Sequence, residues 1–268
     1  SYNISTSLIN EQYLAHRLDP AVRDWFLGEL SRYPGIRKNT DMLPSGAFYG
    51  TWYWTELFSK KMGRIFAMAD RLNIFQLLVV IGLIAAIFIG LGLTHPGSRR
   101  ICSLFVLGTT GFTGMSLSLI IMYAYQSLYG FIFQQIAMLV MAFMAGLTLG
   151  SYLINRKLES IKDTCGAFFL VEIVCLGSCI AFIPMLIFLN SDPRAELAWI
   201  FFLASAVAGS FVGFEFPIAN KVYSEGKSPA SSSGVVYGVD LAGSWLAALF
   251  VSVALVPVIG MVMTSVLL

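Results

Sequence analysis

The sequence predicts an all-α polytopic membrane protein. About six transmembrane helices follow a short helical extramembrane segment and an interfacial amphipathic helix. Three observations predict it. Of 268 residues, 57% are hydrophobic and only 12% are charged, whereas a soluble domain carries about a quarter charged residues. Six apolar segments recur, each near the ~20 residues that a span requires. The connections between them are short, and one is only Gln126-Ser127-Leu128-Tyr129, so the spans on either side form an antiparallel hairpin.

Residues 1–45 read as a small, mostly helical extramembrane segment. Asp19-Pro20 is a helix start, with Asp as N-cap and Pro in the first turn. That helix runs to about Arg32, where Tyr33-Pro34-Gly35 stops it. The polar run Arg37-Lys38-Asn39-Thr40-Asp41 follows. A segment this short holds no sizeable core of its own, so it is expected to pack on the membrane part, on a partner or on a missing domain. The polar start does not read as a signal peptide. A chain beginning at Ser1 is expected either to have lost its initiator Met or to be part of something longer.

Residues 46–73 change character. Phe48, Tyr49, Trp52, Tyr53, Trp54 and Phe58 crowd together, and Lys60, Lys61, Arg64 and Arg71 then alternate with Ile65, Phe66, Met68 and Leu72. Aromatic rings beside basic side chains suit the headgroup layer, which predicts a helix lying in the interface. The extramembrane part is therefore expected to be 1–73 and the helical bundle 74–268.

The six spans are expected at about 74–93, 101–125, 130–153, 166–189, 198–220 and 236–260. Orientation stays open. With the N-terminal segment inside, the inner side carries Lys60, Lys61, Arg64, Arg71 and Arg194. The outer side then carries Arg99, Arg100, Arg156, Lys157, Lys162, Lys221 and Lys227, a balance that leans toward the reverse arrangement.

Composition also excludes functions. A net charge of +2 gives no pointer to nucleic acid. The four cysteines, Cys102, Cys165, Cys175 and Cys179, show no paired metal-ligand spacing. Cys175 and Cys179 share a helical face and read as buried packing thiols. His16 and His95 fall outside the predicted spans, so no axial haem ligands stand within the helices. No nucleotide-binding fingerprint, Ser-His-Asp set or Cys-His set is present. No catalytic residue, cofactor or metal is expected.

Small residues recur at four-residue spacing: Ala142, Gly146 and Gly150; Ser205, Gly209 and Gly213; and Gly234, Gly238 and Ala242, with Gly243 beside them. Such stripes let neighbouring helices approach closely. Pro184, Pro217 and Pro257 are expected to kink or break the fourth, fifth and sixth spans.

Three acids stand within spans: Glu172, Glu215 and Asp240. Intramembrane acids cost several kcal/mol and mark ion, proton or cation sites by default. The competing reading places all three nearer span ends than centres, bonded to headgroups, water or a neighbouring helix. Gln126, Gln134 and Gln135 read as interfacial polar residues of the hairpin turn.

Several stretches in order resemble the membrane-integrated spermidine-synthase-like proteins of prokaryotes. They are Asn39-Thr40-Asp41-Met42-Leu43-Pro44 with the aromatic run to Trp54, Thr110-Gly111-Phe112-Thr113-Gly114-Met115, Tyr125-Gln126-Ser127-Leu128-Tyr129-Gly130, Phe143-Met144-Ala145-Gly146-Leu147-Thr148-Leu149-Gly150, Gly213-Phe214-Glu215-Phe216-Pro217, and Tyr237-Gly238-Val239-Asp240-Leu241-Ala242-Gly243 with Leu255-Val256-Pro257-Val258-Ile259-Gly260. The resemblance implies a membrane half, with residues 1–60 as the tail of a synthase-like domain whose catalytic nucleotide fold is missing here. It also implies a prokaryotic inner membrane, and that this chain alone does not transfer an aminopropyl group. Ser118 departs from the pattern, which leads one to expect an acid in that span.

Two functions are carried forward. The first is an anchor or scaffold in the lipid bilayer, with residues 1–73 docking a synthase-like domain or other protein subunits. The second is a transporter or binding domain for a small cationic solute such as a polyamine, using Glu172, Glu215 and Asp240.

Overall fold

The computed structural model describes residues 14–16, 19–32, 37–71, 73–94, 99–130, 133–160, 164–191, 195–224 and 229–268. The expectations at Tyr33-Pro34-Gly35, Leu72, His95, Lys162, Arg194 and Lys227 lie outside them. The chain is an all-α polytopic membrane protein. Among the described residues there is no strand, only an isolated bridge between Thr40 and Leu43. Five helices are long and apolar enough to cross a membrane, or up to six if a bent helix pair counts as one span.

Residues 1–38 form one compact unit and 39–268 another. The first contains α1 (Pro20–Arg32). Asp19 Oδ1 accepts the backbone N–H of Ala21 at 2.8 Å, which satisfies one of the helix's orphan donors. No residue of α1 is buried.

The second unit opens with α2 (Ser45–Phe58) and α3 (Lys60–Asp70). Ser59 separates them in extended conformation, and its hydroxyl accepts from Met62 N at 3.5 Å. Phe48 of α2 and Phe66 of α3 close a small apolar cluster with Val258. That contact explains why the compact unit starts at Asn39 rather than at residue 74. The basic residues Lys60, Lys61 and Arg64 are exposed, as are Ile65 and Met68. α3 meets the first part of the next helix at 90°.

The long helices are α4 (Ile74–Thr94), α5 (Arg99–Tyr129), α6 (Phe133–Lys157), α7 (Thr164–Ser191), α8 (Trp199–Ser224) and α9 (Pro229–Phe250). α9 runs on through a π turn (Val251–Leu255) into α10 (Val256–Ile259), then α11 (Met261–Leu267). All six apolar segments are helical, and most helices outrun them. The link expected at 126–129 is itself the end of α5, and the chain turns instead at Gly130, whose φ of 87° suits glycine.

α8 is the central helix, packed against α5, α6, α7 and α9. Its seam with α6 is the closest approach. A Cβ on Gly146 would collide with the Ala206 carbonyl, and one on Gly209 with the Phe143 carbonyl. Gly150 and Gly213 face Ser210 and Leu147 in the same way, and Ala142 is half-buried. Ser205 Oγ donates to Leu139 O at 2.9 Å, tying the seam in its buried interior. The two predicted stripes thus pack on each other.

The third stripe does not. Gly234 and Gly238 are exposed, with nothing near a built Cβ. The inward face of α9 is Val236, Asp240, Gly243 and Ala247, with Gly243 against the Gly108 carbonyl of α5. Residue 238 lies two positions from both 236 and 240, about 200° around the helix, and so faces away.

The prolines also differ from expectation. Pro184 and Pro217 lie inside unbroken helices. Pro217 deprives the Gly213 carbonyl of its usual donor four residues on, and Ser151 of α6 supplies one, its Oγ donating to Gly213 O at 3.0 Å. At Pro257 the helix does depart from α geometry. The π turn precedes it, and Gly260, at φ 89°, ends α10.

Candidate intramembrane carboxylate site

The three acids come from three helices, and α5 lies among them. Glu172 is eight residues into α7, Asp240 eleven into α9, and Glu215 nine before the end of α8. At 1.5 Å per residue these positions lie roughly 12–17 Å from those helix ends.

Thr110 of α5 is the hinge of the cluster. It is buried, and its Oγ1 lies 3.1 Å from Glu172 Oε1 and 3.2 Å from Val106 O. One hydroxyl hydrogen faces two acceptors. Glu215 is 1% exposed, and the carboxyl groups of Glu172 and Asp240 are near enough to act on it through space. Among the described residues, Glu215 Oε1 and Asp240 Oδ1 have no hydrogen-bond partner. None of the three acids is in an ion pair there; the salt bridges are the exposed Arg23–Asp24 and Arg32–Glu29 pairs of α1.

Glycine makes room for this. A Cβ on Gly111 would stand 2.5 Å from both Asp240 O and Asp240 Oδ1. Ser244 Oγ donates to Gly111 O at 3.2 Å and holds α9 in that register. The side chain of Asp240 is thus pressed onto the α5 backbone beside Thr110.

On the α7 side the cluster opens into a cavity of about 300 Å³, walled by Thr109, Thr110, Thr113, Glu172, Cys175 and Cys179. Of the acids only Glu172 lines it. Cys175 and Cys179 belong to the main apolar core, as packing thiols do. Among the described residues no three His, Cys, Asp or Glu side chains are arranged to hold a metal ion. Such a site offers chained carboxyl groups and a hydroxyl, which can take up a proton or coordinate an ammonium-like cation.

Glu172, Glu215 and Asp240 therefore gather in one region. Gln126 and Gln135 do not join them. The Tyr125 hydroxyl donates to Gln135 Oε1 near the hairpin, and Thr110 is sixteen residues away from Gln126 along α5. Sequence reasoning missed Thr110 and Gly111 as site residues. Their signal is a hydroxyl and a glycine side by side in an apolar segment, Thr109-Thr110-Gly111. Comparison with family models, curated proteins and solved structures gives no match.

Proposed function

We propose that this bundle is a binding and transport domain for a small cation. Glu172 receives it from the cavity, Glu215 is the central ligand and Asp240 the acid behind it. One observation carries the reading: Glu215 is wholly buried, leaves an oxygen unpartnered, and stands in the same region as two further acids, Glu172 and Asp240. Carboxyl groups close together and out of water repel unless a proton or cation lies between them. A polyamine fits the chemistry, since each ammonium brings three donors to acceptor-only groups. A prokaryotic inner membrane and the likeness to the membrane half of spermidine-synthase-like proteins are part of the same proposal.

The test is uptake into proteoliposomes, following labelled spermidine together with internal pH. Glu215→Gln and Glu172→Gln are expected to lower spermidine or proton entry at least tenfold while the protein still elutes as a folded species. Wild-type uptake of both by a folded Glu215→Gln protein rules the reading out.

The anchor reading has its own supporting observation. Met261 N donates to Met42 O at 2.9 Å and Ser127 Oγ to Asp41 O at 2.7 Å, so the segment before α2 is seated on the bundle. A seated segment is a rigid base on which a synthase-like domain or another subunit could be carried. Co-purification with such a subunit, lost on deleting residues 1–38, supports that reading; a monodisperse chain with full uptake counts against it.

A further inference from the structure

A second pocket, of about 440 Å³, lies elsewhere on the bundle. Its walls include Asn39, Asp41, Tyr123, Gln126, Ser252 and Pro257. Sixteen residues of α5 separate Gln126 from Thr110, about 24 Å along a helix, so this pocket is distinct from the acid cluster.

Its frame is built by bonds that are not its own lining chemistry. Thr40 and Leu43 exchange backbone bonds of 3.1 and 3.0 Å, and Asn39 Oδ1 accepts Gly46 N at 2.9 Å. Ser127 holds the Asp41 carbonyl and Met261 the Met42 carbonyl. Asp41 lines the pocket and is itself exposed. Opposite it, α9 abandons α geometry in the π turn that carries Ser252. There Tyr123 OH donates to Ser252 Oγ at 2.8 Å. π turns inside helices are frequent at functional sites. No Lys, Arg or His lines the pocket, while Ala47, Val256 and Met261 give it an apolar side.

We infer that this pocket binds a primary ammonium group carried on a short apolar body. Asp41 supplies the charge, and Gln126 Oε1 and the Tyr123 and Ser252 oxygens offer further acceptors among which the three donors of an ammonium can bond. The apolar side takes the carbon chain. The ammonium can come from a soluble amine or from a lipid's ethanolamine headgroup.

The test is binding of n-butylammonium to the full chain in detergent, by calorimetry and by thermal shift, with n-butanol and n-butyrate as controls. Butylammonium is expected to bind at least tenfold more tightly than either control. Asp41→Asn should lower that affinity at least tenfold. Gln126→Lys, which brings its own ammonium to the pocket, should block binding without loss of stability. Equal binding of butanol, or unchanged binding in a folded Asp41→Asn protein, overturns the assignment. Should Asp41→Asn not fold, undiminished binding in Gln126→Lys overturns it instead. In nanodiscs, weaker butylammonium binding in phosphatidylethanolamine than in phosphatidylcholine assigns the site to the lipid headgroup. Equal binding in the two assigns it to a soluble amine.

Discussion

Replacing Gly146 with alanine puts a methyl group where the Ala206 carbonyl of α8 now lies. Backbone sits on both sides of that contact, so no side chain can swing away. To restore ordinary contact the helices must part by about 1.5 Å, and a gap of even 0.5–1 Å forfeits roughly a quarter to a half of each dispersion well along the seam. Overpacking of this kind costs about 1–3 kcal/mol, and a contact with rigid backbone belongs at the upper end. Alanine returns roughly 0.5–1 kcal/mol through its better helix propensity. The expected net loss is therefore about 2 kcal/mol. Gly238 is the internal control, since nothing stands near a Cβ there. Gly238→Ala should keep the propensity gain alone, about 0.5–1 kcal/mol. The two variants should then differ by nearly 3 kcal/mol, about a hundredfold in the folded-to-unfolded ratio. Unfolding in mixed micelles with increasing SDS, followed by tryptophan fluorescence, reads this directly. Equal stability of the two variants would refute the assignment of the seam to α6 and α8.

Three further outcomes follow from the same geometry. Ser151→Ala should cost about 1–3 kcal/mol, because it orphans the Gly213 carbonyl beneath Pro217; in a Pro217→Ala background the cost should shrink, and a cycle with no coupling refutes the repair. Gly260→Ala should destabilise by roughly 1–2 kcal/mol, the cost of a left-handed backbone for a non-glycine residue, and Met42 O already lies 3.0 Å from where its Cβ would be. If α2 lies along the interface, brominated lipids with bromines near the headgroup should quench a chain keeping Trp54 of α2 as its sole tryptophan more than lipids brominated deep in the tails; stronger quenching from the tails would remove α2 from it.

How much of this was legible depended on where the deciding contact lies. Apolar length alone located six helices, since each must hold its backbone bonds within itself in lipid. The α6–α8 seam was legible because both partners show small residues at one spacing. The α9 face was misread for the same reason: Gly234, Gly238 and Ala242 repeat as well, but spacing says nothing of which face turns inward. Val236, Asp240, Gly243 and Ala247 do so, because Gly243 and Asp240 meet glycines of α5. The prolines were read as breaks because the repair at Gly213 comes from Ser151, 62 residues away in sequence. The acids were visible singly. Their gathering around Thr110 and Gly111 was not, because the partners from α5 look like any small residues in an apolar run.

The acid cluster separates the two functional readings by what each needs. An anchor needs only apolar faces outward and small residues inward, and this bundle has both without its carboxyl groups. Replacing buried ionic groups with apolar residues of similar size is often neutral or stabilising, so a purely anchoring bundle gains nothing from Glu215 at 1% exposure. Three helices nonetheless bring acids to one region, with Glu172 bonded to Thr110 and Gly111 letting Asp240 approach. The insertion cost of an acid at a helix centre is about 2.5–3.5 kcal/mol, comparable with the whole effect of breaking the α6–α8 seam. A cluster that works against stability on that scale is explained by a bound proton or cation that offsets it, which favours the cation reading over the anchor alone.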